Sequence, residues 1–143
     1  MLKEQLTGNT MFMNSVESWQ EAIRIGAKPL VEQGIIEESY VQAMIQNVVD
    51  NGNYIILLPQ IAMPHARPEF GSNGVGMTFL HVKEPIMFPG DEPVKVFFTL
   101  SSDSPDGHLD LIASLGELLS DEELYQKLFN VGTEEELLAL IKE

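Results

Sequence analysis

The order of patterns along this chain predicts an α/β fold: a single domain, residues 1–143, with a mixed parallel and antiparallel β-sheet flanked by helices on both faces. Three observations predict it. Helix-period segments stand at both ends of the chain, apolar strand-like runs occupy the middle, and the two kinds do not alternate. The lack of alternation argues against a doubly wound sheet. A length of 143 residues suits one compact core, and a hydrophobic share of 44% marks a globular chain rather than a disordered one.

The first helix is read in "SVESWQEAIRIGAKPLVEQG", where Trp19, Ala22, Ile23 and Ala27 fall at helical spacing. Ser15 or Ser18 supplies a cap, Gly34 follows the end, and Pro29 kinks or ends the helix. The next helix, in "EESYVQAMIQNVVDNG", carries Tyr40, Met44 and Val48 on one stripe and closes on the turn residues 50–53. Then come "YIILL" (54–58) as a buried strand, "IAM" (61–63) as a short strand, "GMTFLHV" (76–82) and "PVKVFFTL" (93–100). Helical patterns return in "HLDLIASLGELLS", "DEELYQKLF" and "TEEELLALIKE". Ser120 with Glu123, and Thr133 with Glu136, have capping-box spacing.

Eight basic and 22 acidic residues leave a formal net charge of −14, a field that repels nucleic acid and anionic lipid and favours a partner with a basic face. There is no cysteine, which removes disulfides, thiolate nucleophiles and cysteine-ligated zinc. No apolar leader opens the chain, and "YIILLPQIAM" is broken by Pro59 and Gln60 before it is long enough to span a bilayer. A cytoplasmic location with no direct membrane insertion is the expectation. No G-x-G-x-x-G, Walker lysine, G-x-S-x-G or H-E-x-x-H pattern is present, so nucleotide binding by those routes is disfavoured, hydrolase chemistry and a zinc site from His65, His81 and His108 are only weakly supported, and no cofactor or metal is expected.

Three histidines remain. His81 lies in a strand pattern, is followed by polar residues, and reads as structural or surface. His65, in "IAMPHARPE", lies between Pro64, which fixes its own φ and extends Met63, and small Ala66, with Pro68 stiffening the exit. The result is a rigid backbone presenting one imidazole with little bulk beside it, which suits a group that meets another protein's reactive centre. The competing reading is a rigid inter-strand loop whose histidine is only structural. His108, in "SDSPDGHLDLI", stands at a helix start, where free N–H groups attract phosphate; a plain polar residue at a helix start fits the spacing equally well.

"PQIAMPHARPE" followed further along by "HLDLIASLGELLSDEE" resembles the IIA component of the bacterial phosphoenolpyruvate-dependent sugar phosphotransferase system, in its fructose/mannitol superfamily. The pattern "W..AI....PL...G.I...Y..AMI" from Trp19 to Ile45, with the "AMPHARPE" form, is most similar to the ascorbate-type IIA proteins. The resemblance runs from about residue 12 to the end. It implies a mixed sheet flanked by helices and a place in a relay. HPr would give its phosphoryl group to His65, which would pass it to a cysteine of a IIB component serving a membrane IIC component, here for ascorbate uptake.

The same resemblance places the second active-site histidine at His108. Mannitol- and fructose-type relatives add a helix-borne arginine before the active loop. The matching region here, "AMIQNVVDNGN", has Gln46 or Asn47 in that neighbourhood, and Arg67 is the nearest cation in sequence and the candidate phosphate-binding group. For such a relay His65 must be neutral and attack through Nε2, with Nδ1–H donating to a nearby carbonyl. His108, backbone N–H groups near residues 107–109 and Arg67 are the candidate donors to the phosphoryl oxygens. An alternative role on the same histidine is a regulatory module whose phosphorylation state controls a binding partner.

Overall fold

A computed structural model describes residues 1–104, 106 and 108–143. The elements in chain order are α1 (Leu2–Leu6), β1 (Thr10–Met13), α2 (Trp19–Glu32), α3 (Glu38–Asn51), β2 (Ile56–Leu58), β3 (Gln60–Ala62), a 3-10 turn (Pro68–Phe70), β4 (Gly76–Phe88), β5 (Glu92–Ser101), α4 (Leu109–Ser120), α5 (Glu122–Leu128) and α6 (Glu134–Leu138). The five strands form one sheet in the order β1-β4-β5-β3-β2. β1 runs parallel to β4 and β3 parallel to β5, while β4–β5 and β2–β3 are antiparallel. The sheet is therefore mixed, as expected.

Side-chain alternation divides the core between two faces. On one face Leu80, Val82, Val94 and Phe97 pack under α2 and α3. On the other, Met77, Phe79, Val96, Phe98 and Leu100 pack under α1, α4, α5 and α6. Val94 and Val96 have the same parity yet serve opposite faces. The ladder slips there, from His81 opposite Val96 to Ile86 opposite Val94, and this irregularity resets the alternation.

Ser18 caps α2 by accepting from the Glu21 N–H at 3.2 Å. The helix does not end at Pro29 but continues to Glu32, with the Gln33 N–H donating to the Pro29 carbonyl at 3.0 Å. Gly26 lets α2 approach the sheet closely: a Cβ there would lie 2.5 Å from Thr99 Oγ1, and Thr78 Oγ1 donates to the Gly26 carbonyl at 2.6 Å. On α3 the stripe of Tyr40, Met44 and Val48 is buried as read from sequence.

Three local expectations need correction. α1 and β1 were not expected; five and four residues carry too few periods to show a pattern. "YIILL" is not a buried strand: only Ile56–Leu58 is strand, and of the five residues only Ile55 is buried, because β2 is a sheet edge. Ser120 does not cap α5. It is the last residue of α4, its hydroxyl donating to the Gly116 carbonyl, and Asp121 caps α5 by accepting from the Leu124 N–H at 3.1 Å. Thr133 does cap α6, accepting from the Glu136 N–H at 3.1 Å, and the Glu136 carboxylate reaches back to Thr133 Oγ1 and the Gly132 N–H.

Candidate functional site

β3 and β5 are parallel neighbours, so their carboxyl ends open on the same side of the sheet, where α/β folds build sites. The loop after β3 carries His65, and the segment after β5 leads to His108. The Leu100 N–H donates to the Pro64 carbonyl at 2.9 Å, which joins the end of β5 to the His65 loop.

His65 is half-buried, with Nδ1 2.7 Å from the Met63 carbonyl oxygen. A carbonyl can only accept, so Nδ1 carries the proton and the neutral ring keeps its lone pair on Nε2. Met63 is itself fixed, its N–H donating to the Ile55 carbonyl at 2.8 Å. The Tyr54 ring meets the imidazole almost at right angles (82°), with centroids 5.6 Å apart.

His108 is the N-cap residue of α4, and no side chain among the described residues caps that first turn. Its Nδ1 lies 2.8 Å from Ser102 Oγ, and the Ser102 hydroxyl donates to the Ser104 carbonyl at 2.6 Å. Because that hydroxyl proton is already used, His108 Nδ1–H is the donor to Ser102 and Nε2 is left free. Of the expected backbone donors near residues 107–109, position 107 lies outside the described residues.

Tyr40 ties the site to α3. Its hydroxyl donates to the Leu100 carbonyl at 2.8 Å and accepts from the Ala66 N–H at 3.1 Å. Burial raises its pKa, against the opposing pull of the Ala66 and Ser101 hydrogen bonds, so the hydroxyl stays protonated and able to donate. Sequence reasoning took Tyr40 only as a core residue. The available signal was a hydroxyl on an otherwise aliphatic stripe, since a buried tyrosine oxygen needs a partner.

The other named residues fall as follows. Arg67 is exposed at the loop exit, its Nε 2.9 Å from Glu69 Oε1. Gln46 is engaged with Asp50 through a 2.8 Å hydrogen bond. His81 is buried in β4, Nε2 on the Phe129 carbonyl at 2.8 Å and the ring against Phe12, so it joins the sheet to the end of α5. Ser102 and Tyr54 are further site residues that sequence reasoning missed.

Comparison with known proteins bears on this geometry. A family model described as "Phosphoenolpyruvate-dependent sugar phosphotransferase system, EIIA 2" matches residues 4–143. The mannitol-specific cryptic phosphotransferase enzyme IIA component of Escherichia coli (strain K12) is 39% identical over 130 residues, covering 90% of this chain and 88% of that protein. A solution structure under that description from Escherichia coli superimposes with a TM-score of 0.89 at 36% identity, covering 98% of this chain and 97% of the other. The ascorbate-specific EIIA component of the same strain is 36% identical over 128 residues, covering 87% of this chain and 83% of that protein. The Escherichia coli complex of mannitol enzyme IIA with phosphorylated enzyme IIB matches with a TM-score of 0.80 at 26% identity, covering 93% of each chain. No helix among the described residues is long and apolar enough to cross a membrane.

Proposed function

Because the chain belongs to the EIIA 2 family of the phosphoenolpyruvate-dependent sugar phosphotransferase system, and is thereby a phosphotransferase component, we propose that His65 is its phosphorylated nucleophile and His108 its phosphoryl stabiliser. Residues 1–143 act as one IIA unit in the cytoplasm. The unit takes the phosphoryl group from phospho-HPr and gives it to a cysteine of a IIB component, which serves a membrane IIC component.

The observation that carries this reading is the 2.7 Å contact from His65 Nδ1 to the Met63 carbonyl, which leaves Nε2 as the free nucleophile. The Nε2–P bond forms as the bond from phosphorus to the donor breaks. In the second transfer the phosphoryl leaves Nε2 for the acceptor sulfur. Little covalent help is needed beyond position and charge stabilisation. Donors for the phosphoryl oxygens are the uncapped N–H groups at the start of α4 and, once the Ser102 hydroxyl turns to donate to Nδ1, the Nε2–H of His108. Arg67, held by Glu69, supplies a cation at the loop exit. Exposed Tyr54, Phe70 and Leu109 flank the two histidine segments and offer apolar contact to a docking protein. The net charge of −14 favours a basic HPr face.

For the carbohydrate we carry forward ascorbate, on the "AMPHARPE" form and the ascorbate-specific relative at 36% identity. The mannitol-specific cryptic relative at 39% identity makes mannitol the second reading.

The test is incubation with phosphoenolpyruvate, enzyme I and HPr, followed by intact mass and acid lability. One acid-labile phosphate on the wild type, absent from His65→Ala, is expected. An equal adduct on His65→Ala would overturn the assignment. Passage of that phosphate to an ascorbate-type rather than a mannitol-type IIB cysteine decides the carbohydrate. Passage to neither IIB would favour the regulatory role.

A further inference from the structure

His65 has a second neighbour besides the Met63 carbonyl, and the relay chemistry does not use it. Tyr54 is a large aromatic residue with 46% of its surface exposed, yet it is not an idle surface side chain. Its ring stands perpendicular to the imidazole at 5.6 Å between centroids. Burial raises the pKa of its hydroxyl, with the Asn47 side chain acting the other way.

The backbone on either side of Tyr54 is pinned. The Asn53 side-chain amide donates to the Pro89 carbonyl, and Ile55 is 1% exposed. The Ile55 carbonyl accepts the Met63 N–H, and the Met63 carbonyl accepts the His65 ring proton. Tyr54 and His65 are thus linked twice, through the Met63 peptide groups and by direct ring contact.

Two constraints are needed to aim an imidazole. A hydrogen bond at Nδ1 fixes the tautomer and one edge of the ring, but the ring can still swing about that edge. A perpendicular aromatic neighbour closes one side of the swing, since the edge-to-face arrangement is among those aromatic pairs favour. We propose that Tyr54 is a positioning residue: its ring, rather than its hydroxyl, holds His65 so that the Nε2 lone pair points along the line of phosphoryl transfer. This rests on the proposed role of His65.

The experiment compares Tyr54→Ala and Tyr54→Phe with the wild type. The ring 15N shifts of His65 in the unphosphorylated protein report its tautomer, and single-turnover transfer from phospho-HPr reports the aim of Nε2. Tyr54→Ala is expected to slow transfer about fivefold to tenfold and, by letting the ring swing off the Met63 carbonyl, to shift the His65 ring signals toward tautomer averaging. Tyr54→Phe is expected to recover most of both effects. Wild-type ring signals and transfer in Tyr54→Ala would overturn the proposal. A Tyr54→Phe protein as impaired as Tyr54→Ala would also overturn it, by assigning the role to the hydroxyl. If the wild type takes no phosphate, the relay reading fails instead, and the ring 15N comparison still tests whether Tyr54 positions His65.

Discussion

The loop after β3 holds its histidine on a backbone carbonyl; the segment after β5 holds its histidine on a serine hydroxyl. Both contacts are made by Nδ1, and both leave Nε2 free of a hydrogen-bond partner among the described residues. The partners differ in what they permit. The Met63 carbonyl can only accept, so His65 has one available neutral tautomer while the contact lasts. The Ser102 hydroxyl can donate or accept, and it now donates to the Ser104 carbonyl. If that hydroxyl turned toward His108 Nδ1, the neutral ring would carry its proton on Nε2 and donate outward. The first arrangement suits a nucleophile, whose lone pair must not wander. The second suits a helper, which must offer a proton to a phosphoryl oxygen and withdraw it afterwards.

The most severe test of this contrast is deletion of each histidine. His65→Ala should lose acid-labile phosphate altogether in the intact-mass assay. His108→Ala should still be modified on His65, with single-turnover transfer slowed about 10²–10³-fold, the usual loss for one donor to a developing charge. Equal and complete loss in both would erase the distinction between nucleophile and helper.

Tyr40→Phe tests whether the His65 loop owes its rigidity to hydrogen bonds from outside it. The change strands the Ala66 N–H and the Leu100 carbonyl, and the cost should be about 1–3 kcal/mol in denaturant unfolding. Ser102→Ala sharpens the other side. It removes one net hydrogen bond from His108, and transfer should slow by about fivefold, well short of His108→Ala. A loss as large as that of His108→Ala would mean the hydroxyl does more than orient the ring.

Glu143→Gln is the control remote from both segments. The Glu143 carboxylate accepts from the Met1 amino group and from the Leu2 and Lys3 N–H groups. The amino-group hydrogen bond is the largest cause that lowers its pKa from 4.5 to about 2. A lowered carboxylate pKa stabilises the fold fully above about 4.5 and loses that contribution as pH falls toward 2. The variant should therefore melt slightly below wild type at neutral pH, converge with it near pH 2, and transfer phosphate at the wild-type rate.

What was legible in the sequence follows from how local each signal is. α2, α3 and the strands β4 and β5 show because their periodicity is long enough to read. The apolar run at 54–58 was misread because composition alone cannot separate a buried strand from an edge that exposes Tyr54 and Leu57. At the site, the prolines around His65 announce a rigid loop. Its three fixings do not show, because the Met63 carbonyl is backbone and the tyrosines stand in other segments. Tyr40 is 26 residues from Ala66 and looks like core. Ser102 carries no signal beyond being a serine near a helix start, where capping is the ordinary use of that residue type.

The Tyr40 hydroxyl joins Ala66 and Leu100, which lie 26 and 60 residues from it in the chain. Contacts of that span carry a loop-closure cost and hold only while the segments they join are all in place. The His65 loop is therefore set only when α3 and the end of β5 are both docked. On the proposed role of His65, competence to accept a phosphoryl group then depends on two elements outside its own loop. Phosphorylation of His65 would then report that α3 and β5 are docked around the loop.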